Sequence, residues 1–203
     1  RTDVAVARGL ALFAAKGVTT ILDANADADS LASYRRLEEA GGLTARIFAA
    51  VEVDPGQVGR GLALTRRLRR FDSAMVTVAG PKLYMDGVVE SETASLLAPY
   101  SDGRNEPLAF SDAELDRIVV ATERAGLQVH AHAIGDTAVR QLLDAYARFE
   151  AQGARPGHPP LAAHIELIDP ADIPRFAALG VAADIQDRKS TRLNSSHLVI
   201  SYA

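Results

Sequence analysis

The chain has 203 residues, 48% of them hydrophobic, and a formal net charge of −4, enough apolar material for one sizeable core and most simply one domain. The acidic balance argues against nucleic acid or an anionic membrane as the main partner, and no apolar run approaches the roughly 20 residues of a spanning helix. The absence of cysteine excludes disulfides and thiolate metal sites, so any metal would fall to His, Asp, Glu or Lys.

The elements alternate in a regular way. Residues 3 to 16 carry apolar positions at Val6, Leu10, Phe13 and Ala14, a helix closed by Lys16-Gly17 with glycine as the cap. Val18 to Leu22 reads as a β-branched strand, about Ser30 to Ala40 as a helix stopped at Gly41-Gly42, and Ala45 to Val53 as a second strand. A helix over 57 to 70 leads to a strand from Val76 to Asp86, with Gly80-Pro81 a candidate interruption. After a long loop, Ser111-Asp112-Ala113-Glu114 has a capping-box pattern, opening a helix that runs to Ala125-Gly126. Leu127 to His132 is a strand, followed by a helix with its stripe at Ala138, Leu142, Leu143 and Tyr146. Leu161 to Leu167 is a strand, Asp169-Pro170 the start of a helix ending at Leu179-Gly180, and Val181 to Gln186 a further strand.

Short strands alternating with helices imply parallel pairing and right-handed crossovers. No glycine-rich dinucleotide fingerprint follows any strand. An open doubly wound sheet is compatible with this order. A partial TIM-type (β/α)8 barrel fits better, because Asp23, Glu52, Asp86, His132, His164 and Gln186 gather at the C-terminal ends of different strands, where such barrels keep their chemistry.

The most informative stretch is Val129-His130-Ala131-His132-Ala133-Ile134-Gly135-Asp136. A strand alternates its faces, so His130 and His132 point the same way. One buried, hydrogen-bonded histidine and one at the rim would be the ordinary reading of a lone His-x-His. A further strand-borne histidine in Ala163-His164-Ile165-Glu166, one βα repeat later, puts His132 and His164 at neighbouring strand ends and favours a site. Asp136 suits the first turn of a helix through the dipole alone, and His158, among glycine and prolines, faces solvent.

With these residues in view the chain resembles the metal-dependent amidohydrolase superfamily, and within it the amidohydrolase family 3 branch that includes N-substituted formamide deformylases. Gly17-Val18-Thr19-Thr20 with Leu22-Asp23-Ala24 looks like that family's second barrel strand. Lys82-Leu83-Tyr84-Met85-Asp86-Gly87, with Thr93-Ala94 and Pro99-Tyr100, is similar to the fourth strand and its loop. His130 to Val139 resembles the fifth strand, and Ala163 to Pro170 with Pro174 to Gly180 the sixth strand and helix. The resemblance spans residues 1 to 186.

It implies a metal held by Lys82, His132 and His164, the residues that would also carry catalysis. Lys82 matches a lysine that many members carboxylate, turning a repelling ammonium into a carbamate with two oxygens. Tyr84 and Asp86 share the strand parity of Lys82 and are candidates for hydrogen bonds near the site or to substrate. Asp86 reads equally well as a turn acid before Gly87. His130 is expected behind the ligands, and Glu166 stands where relatives often carry glutamine. The family's first-strand His-x-His and eighth-strand aspartate have no counterpart here. The fold expected is therefore about strands 2 to 7 of the barrel, lacking the first and last.

The function implied is hydrolysis of non-peptide C–N bonds of small-molecule amides or formamides by metal-activated water. The metal is a divalent cation, zinc foremost, in the intact protein and not retained by this partial chain, which is expected to be inactive. A metal-free barrel lyase or isomerase, with His132 as acid–base and Lys82 as amine nucleophile, is the alternative. A non-catalytic assembly artefact is another. The stretch from Asp187 to His197 resembles a translated short-read sequencing adapter (GAT CGG AAG AGC ACA CGT), as in metagenomic assemblies. Leu198-Val199 would be its index and Ile200 to Ala203 its next constant part. The organisation expected is a partial barrel domain over 1 to 186 and a non-native tail over 187 to 203, with no site residue in the tail. Oligomeric state and compartment stay open, the cytoplasm being the default.

Overall fold

A computed structural model describes residues 2–185; the tail, and Gln186 as a strand-end residue, lie outside the described residues. The chain runs α1 (Thr2–Ala15), β1 (Thr20–Asp23), α2 (Ala28–Glu39), β2 (Arg46–Glu52), α3 (Val58–Leu68), a 3-10 turn at Arg69–Phe71, and β3 (Val76–Tyr84). After a 3-10 turn at Val89–Ser91 come α4 (Asp112–Arg124), β4 (His130–Ala133), α5 (Asp136–Glu150), β5 (Leu161–His164), α6 (Ile173–Leu179) and β6 (Ala182–Asp184). All six strands form one parallel sheet in sequential order, β1 to β6, curled into half of a TIM-type barrel. No helix among the described residues is long and apolar enough to cross a membrane.

The helices begin where side chains satisfy the free N–H groups of a first turn. Ser111 and Glu114 form the expected reciprocal capping box on α4, and Asp27 with Ser30 forms one on α2. The start of α6 differs from the sequence expectation. Asp169 accepts from Ala171 N and the helix starts at Ile173, with Asp172 as N-cap and Pro174 in its first turn. β5 stops at His164 rather than Leu167, for a backbone reason described with the site.

The sheet's outer face packs on the helices in two apolar clusters. Ile47, Ala49, Val51, Val76 and Val78 meet Leu10, Leu31 and Leu68, whereas Leu83, Met85, Ala131, Ala133 and Ala162 meet Leu115, Ile118, Leu142, Leu143 and Tyr146. Each fully buried Leu or Ile contributes about 1.5–3 kcal/mol relative to exposure. Gly61 lets α3 approach β2, since a Cβ there would lie 2.8 Å from a Val53 methyl.

β3 is continuous through Gly80-Pro81, but its ladder with β2 is not regular. Ala49 pairs with Val78 and the next residue, Ala50, with Gly80, leaving Ala79 as an extra residue. The bulge is needed for orientation. Val76 and Val78 face the helices, and strict alternation would send Lys82 the same way. One inserted residue reverses the phase, so Leu83 and Met85 take the helix side and Lys82 and Tyr84 face the concave side of the sheet.

Candidate metal centre

The register sets Glu52, Lys82, His130 and Leu161 in one row across the concave face and Tyr84, His132, Ala163 and Asp184 in the next row toward the strand C-termini. A cleft of about 500 Å³ opens there, lined by Lys82, His130, His164 and Asp184 with Leu22, Ala163 and other apolar groups. Lys82, His130 and His132 are buried, at 2%, 4% and 8% exposure.

His132 stands between two neighbours. Its ring centroid is 4.8 Å from that of His164, edge to face, and 5.5 Å from that of Tyr84. The Lys82 Nζ lies 4.7 Å from the Tyr84 ring centroid. The three residues that the family resemblance marks as ligands are thus gathered at one end of three adjacent strands. Among the described residues, no three His, Asp or Glu side chains form a group that could hold a metal; two imidazoles and Lys82 are the donor set that the resemblance names.

His164 reaches this face by an unusual backbone. Leu161 and Ala163 line the cleft and Ala162 packs among the helices, so alternation would point His164 outward. Instead His164 has φ 81° and Ile165 φ 48°, values disfavoured for L-residues and most of all for β-branched ones. The left-handed turn ends the strand and swings the imidazole inward. Strained backbone of this kind tends to collect at functional sites.

Burial sets the electrostatics. It pushes the Lys82 ammonium down to about 8, against the pull of Asp184 and Glu52. It pushes His130 down to about 4, helped by the positive charges of Lys82, His164 and His132 when protonated. His132 is also lowered by burial, with the Gly87 carbonyl opposing. That carbonyl lies 2.8 Å from His132 Nε2. A carbonyl only accepts, so Nε2 carries the proton and Nδ1 keeps its lone pair. His130 Nε2 is 3.8 Å from Asp184, and its buried Nδ1 has no hydrogen-bond partner.

The remaining candidates separate. Tyr84 is 39% exposed and its hydroxyl accepts from Asn25 Nδ2 at 3.4 Å, an amide that also donates to Glu52 at 3.0 Å. Asp86, expected near the ligands or as a turn acid, has a fully buried carboxylate committed to backbone amides of two loops. Glu166 is half-buried, outside the set that lines the cleft. Asp136 does more than face a dipole, accepting from Leu97 N at 2.8 Å, and His158 is exposed. Sequence reasoning passed over Asn25 and Asp184. Asp184 had a usable signal, an acid at the end of an alanine-rich strand, whereas Asn25 enters only through the fold.

Comparison with known proteins finds relatives of this chain. The chain is 29% identical over 169 residues to the exoenzymes regulatory protein AepA of Pectobacterium carotovorum subsp. carotovorum, covering 80% of this chain and 35% of that protein. It is 30% identical over 122 residues to the putative amidohydrolase YtcJ of Bacillus subtilis (strain 168), covering 59% and 22%. An uncharacterized metal-dependent hydrolase from Pyrococcus horikoshii superposes with a TM-score of 0.72 at 28% identity, over 91% of this chain and 36% of that one. One from Pyrococcus furiosus, at 22% identity, TM-score 0.75, and 95% and 39% coverage, shares the fold. The chain therefore spans well under half the length of each of these proteins. The model of the amidohydrolase family matches residues 3–197, and the chain belongs to that family.

Proposed function

We propose that the full-length protein carrying this segment is a metal-dependent hydrolase of non-peptide C–N bonds, acting on N-acyl or N-formyl amines as the formamide deformylase-like branch does. The observation that carries the reading is the gathering of Lys82, His132 and His164 on one face of a half-barrel, in a family with metal-dependent hydrolases among its structural neighbours.

The residues fit a cation. His132 offers an imidazole whose outer nitrogen is already tied to a carbonyl, the arrangement that orients a ligating histidine. With no thiolate in the chain, imidazole and oxygen donors suit zinc. An ammonium at Lys82 would repel the ion. Its lowering to about 8 leaves a usable neutral fraction, which can attack carbon dioxide, form an N–C bond and release one proton as the carbamate forms. When bound, the cation would supply Lewis acidity for a carbonyl and a water acidified toward neutral pH. Leu22, Leu161 and Ala163 give the cleft an apolar wall for the body of a small amide.

The test is metal analysis beside turnover on N-acyl amines and formamides. We expect bound zinc, loss of turnover on chelation and no turnover by the 203-residue chain alone. Full activity after exhaustive chelation would contradict the reading. The lowered Lys82 amine also favours a second reading, a metal-free lyase that uses it as nucleophile; borohydride trapping of a substrate on Lys82 would establish that one instead.

A further inference from the structure

Asp86 is an unusual group in this molecule. Its side chain is fully buried, yet among the described residues no Lys or Arg forms a salt bridge with it. Oδ1 accepts from Ile134 N at 3.0 Å, while Oδ2 accepts from Gly135 N at 2.8 Å and Ser95 N at 3.0 Å. Three charge-assisted bonds to backbone amides offset the cost of burying a carboxylate. They also join two loops that are remote in sequence, the one after β3 and the one between β4 and α5.

The join is built for close approach. A Cβ on Gly135 would lie 2.0 Å from the Ser95 carbonyl oxygen, and one on Gly87 2.0 Å from Thr93 Oγ1. Gly87 N donates to Thr93 O at 2.9 Å, and Thr137 N to Ser95 O at 3.2 Å. Both glycines are required by space. Immediately beyond Asp86, the Gly87 carbonyl meets His132 Nε2 at 2.8 Å, and Asp86 Oδ1 itself is 3.7 Å from the same nitrogen.

We propose that Asp86 is a positioning residue for His132: by clamping the two loops it places the Gly87 carbonyl so that His132 is held as the Nε2–H tautomer, with Nδ1 left as the donor atom. The inference rests on the metal-centre reading of His132 and adds the device that orients it. A carboxylate is needed because both oxygens must accept. Asp86→Asn keeps the shape but replaces one acceptor by an NH2 group facing an N–H.

The test uses the full-length protein labelled with 15N-histidine, free of metal, with the His132 signals assigned by their loss in His132→Gln. In the unsubstituted protein His132 is expected as the Nε2–H tautomer at neutral pH. In Asp86→Asn the signals are expected to shift toward a mixture of tautomers, and affinity for added zinc chloride to fall about 10- to 100-fold, the usual cost of losing an outer partner of a metal ligand. Asp136→Asn, which alters the neighbouring Leu97 contact, should leave the tautomer unchanged. An Nδ1–H tautomer in the unsubstituted protein overturns the proposal even if Asp86→Asn does not fold. A folded Asp86→Asn with unchanged tautomer and zinc affinity overturns it too, while leaving the metal centre standing. A tautomer change in a protein that never binds zinc supports the clamp and defeats the metal-centre reading instead.

Discussion

Lys82 and His130 sit side by side on β3 and β4, and both are held away from their ordinary protonation by burial. Removing a ligand should cost more than removing an outer partner, so Lys82→Ala in the full-length protein is expected to lose metal and more than about 100-fold in turnover. Short carboxylic acids should partly restore activity if the carbamate is the working form; absence of both effects would remove Lys82 from the centre. His130 makes a prediction about stability in metal-free protein. Its folded value near 4 lies below its unfolded value of about 6.5, so between these the unfolded chain binds more protons. Stability therefore rises with pH from about 4 to 6.5 and is lost on acidification through that window. His130→Gln should flatten this part of a denaturation-against-pH profile, and an unchanged slope would contradict the assignment.

Two local departures from regular strand geometry decide which side chains enter the cleft. The alternation in His130-Ala131-His132 was legible, because β4 is regular and its two alanines face the helices. The orientations of Lys82 and His164 were not. The first depends on where β3 takes its extra residue against β2, a property of pairing and not of either strand alone. The second depends on two left-handed residues at the end of β5 with no glycine to signal them. The early end of β5 follows from the same turn. Deleting Ala79 should remove the bulge without changing the partners beyond it, so Lys82 should stay opposite Glu52 on the concave side and metal binding should be kept; loss of metal from a folded deletion variant would contradict this account of the register. Glycine in a strand ordinarily costs about 0.5–1 kcal/mol. At position 164 the positive φ offsets that cost, so His164→Gly should melt no lower than the parent while losing metal. A clear drop in melting temperature would argue that the backbone there is unstrained.

On the scale of the molecule, order and period of the elements were readable from apolar spacing, and the half-barrel follows from them. What covers its concave side was not. Among the described residues β1 and β6 end the sheet, and Phe48, on the concave face of β2, is 39% exposed. On α1, Leu12 is 70% and Phe13 47% exposed. Open strand edges and apolar patches favour association, so the 203-residue chain should self-associate as its concentration rises. Light scattering that shows a monomer throughout would contradict this.

The central claim is that Lys82, His132 and His164 together hold a divalent metal that the protein needs for C–N hydrolysis. The most direct measurement is metal content and turnover on one formamide substrate in the full-length protein and in its His132→Ala and His164→Ala variants. The account predicts bound metal and turnover in the first, and loss of both in each folded variant. Folded variants that keep their metal and their rate would contradict it.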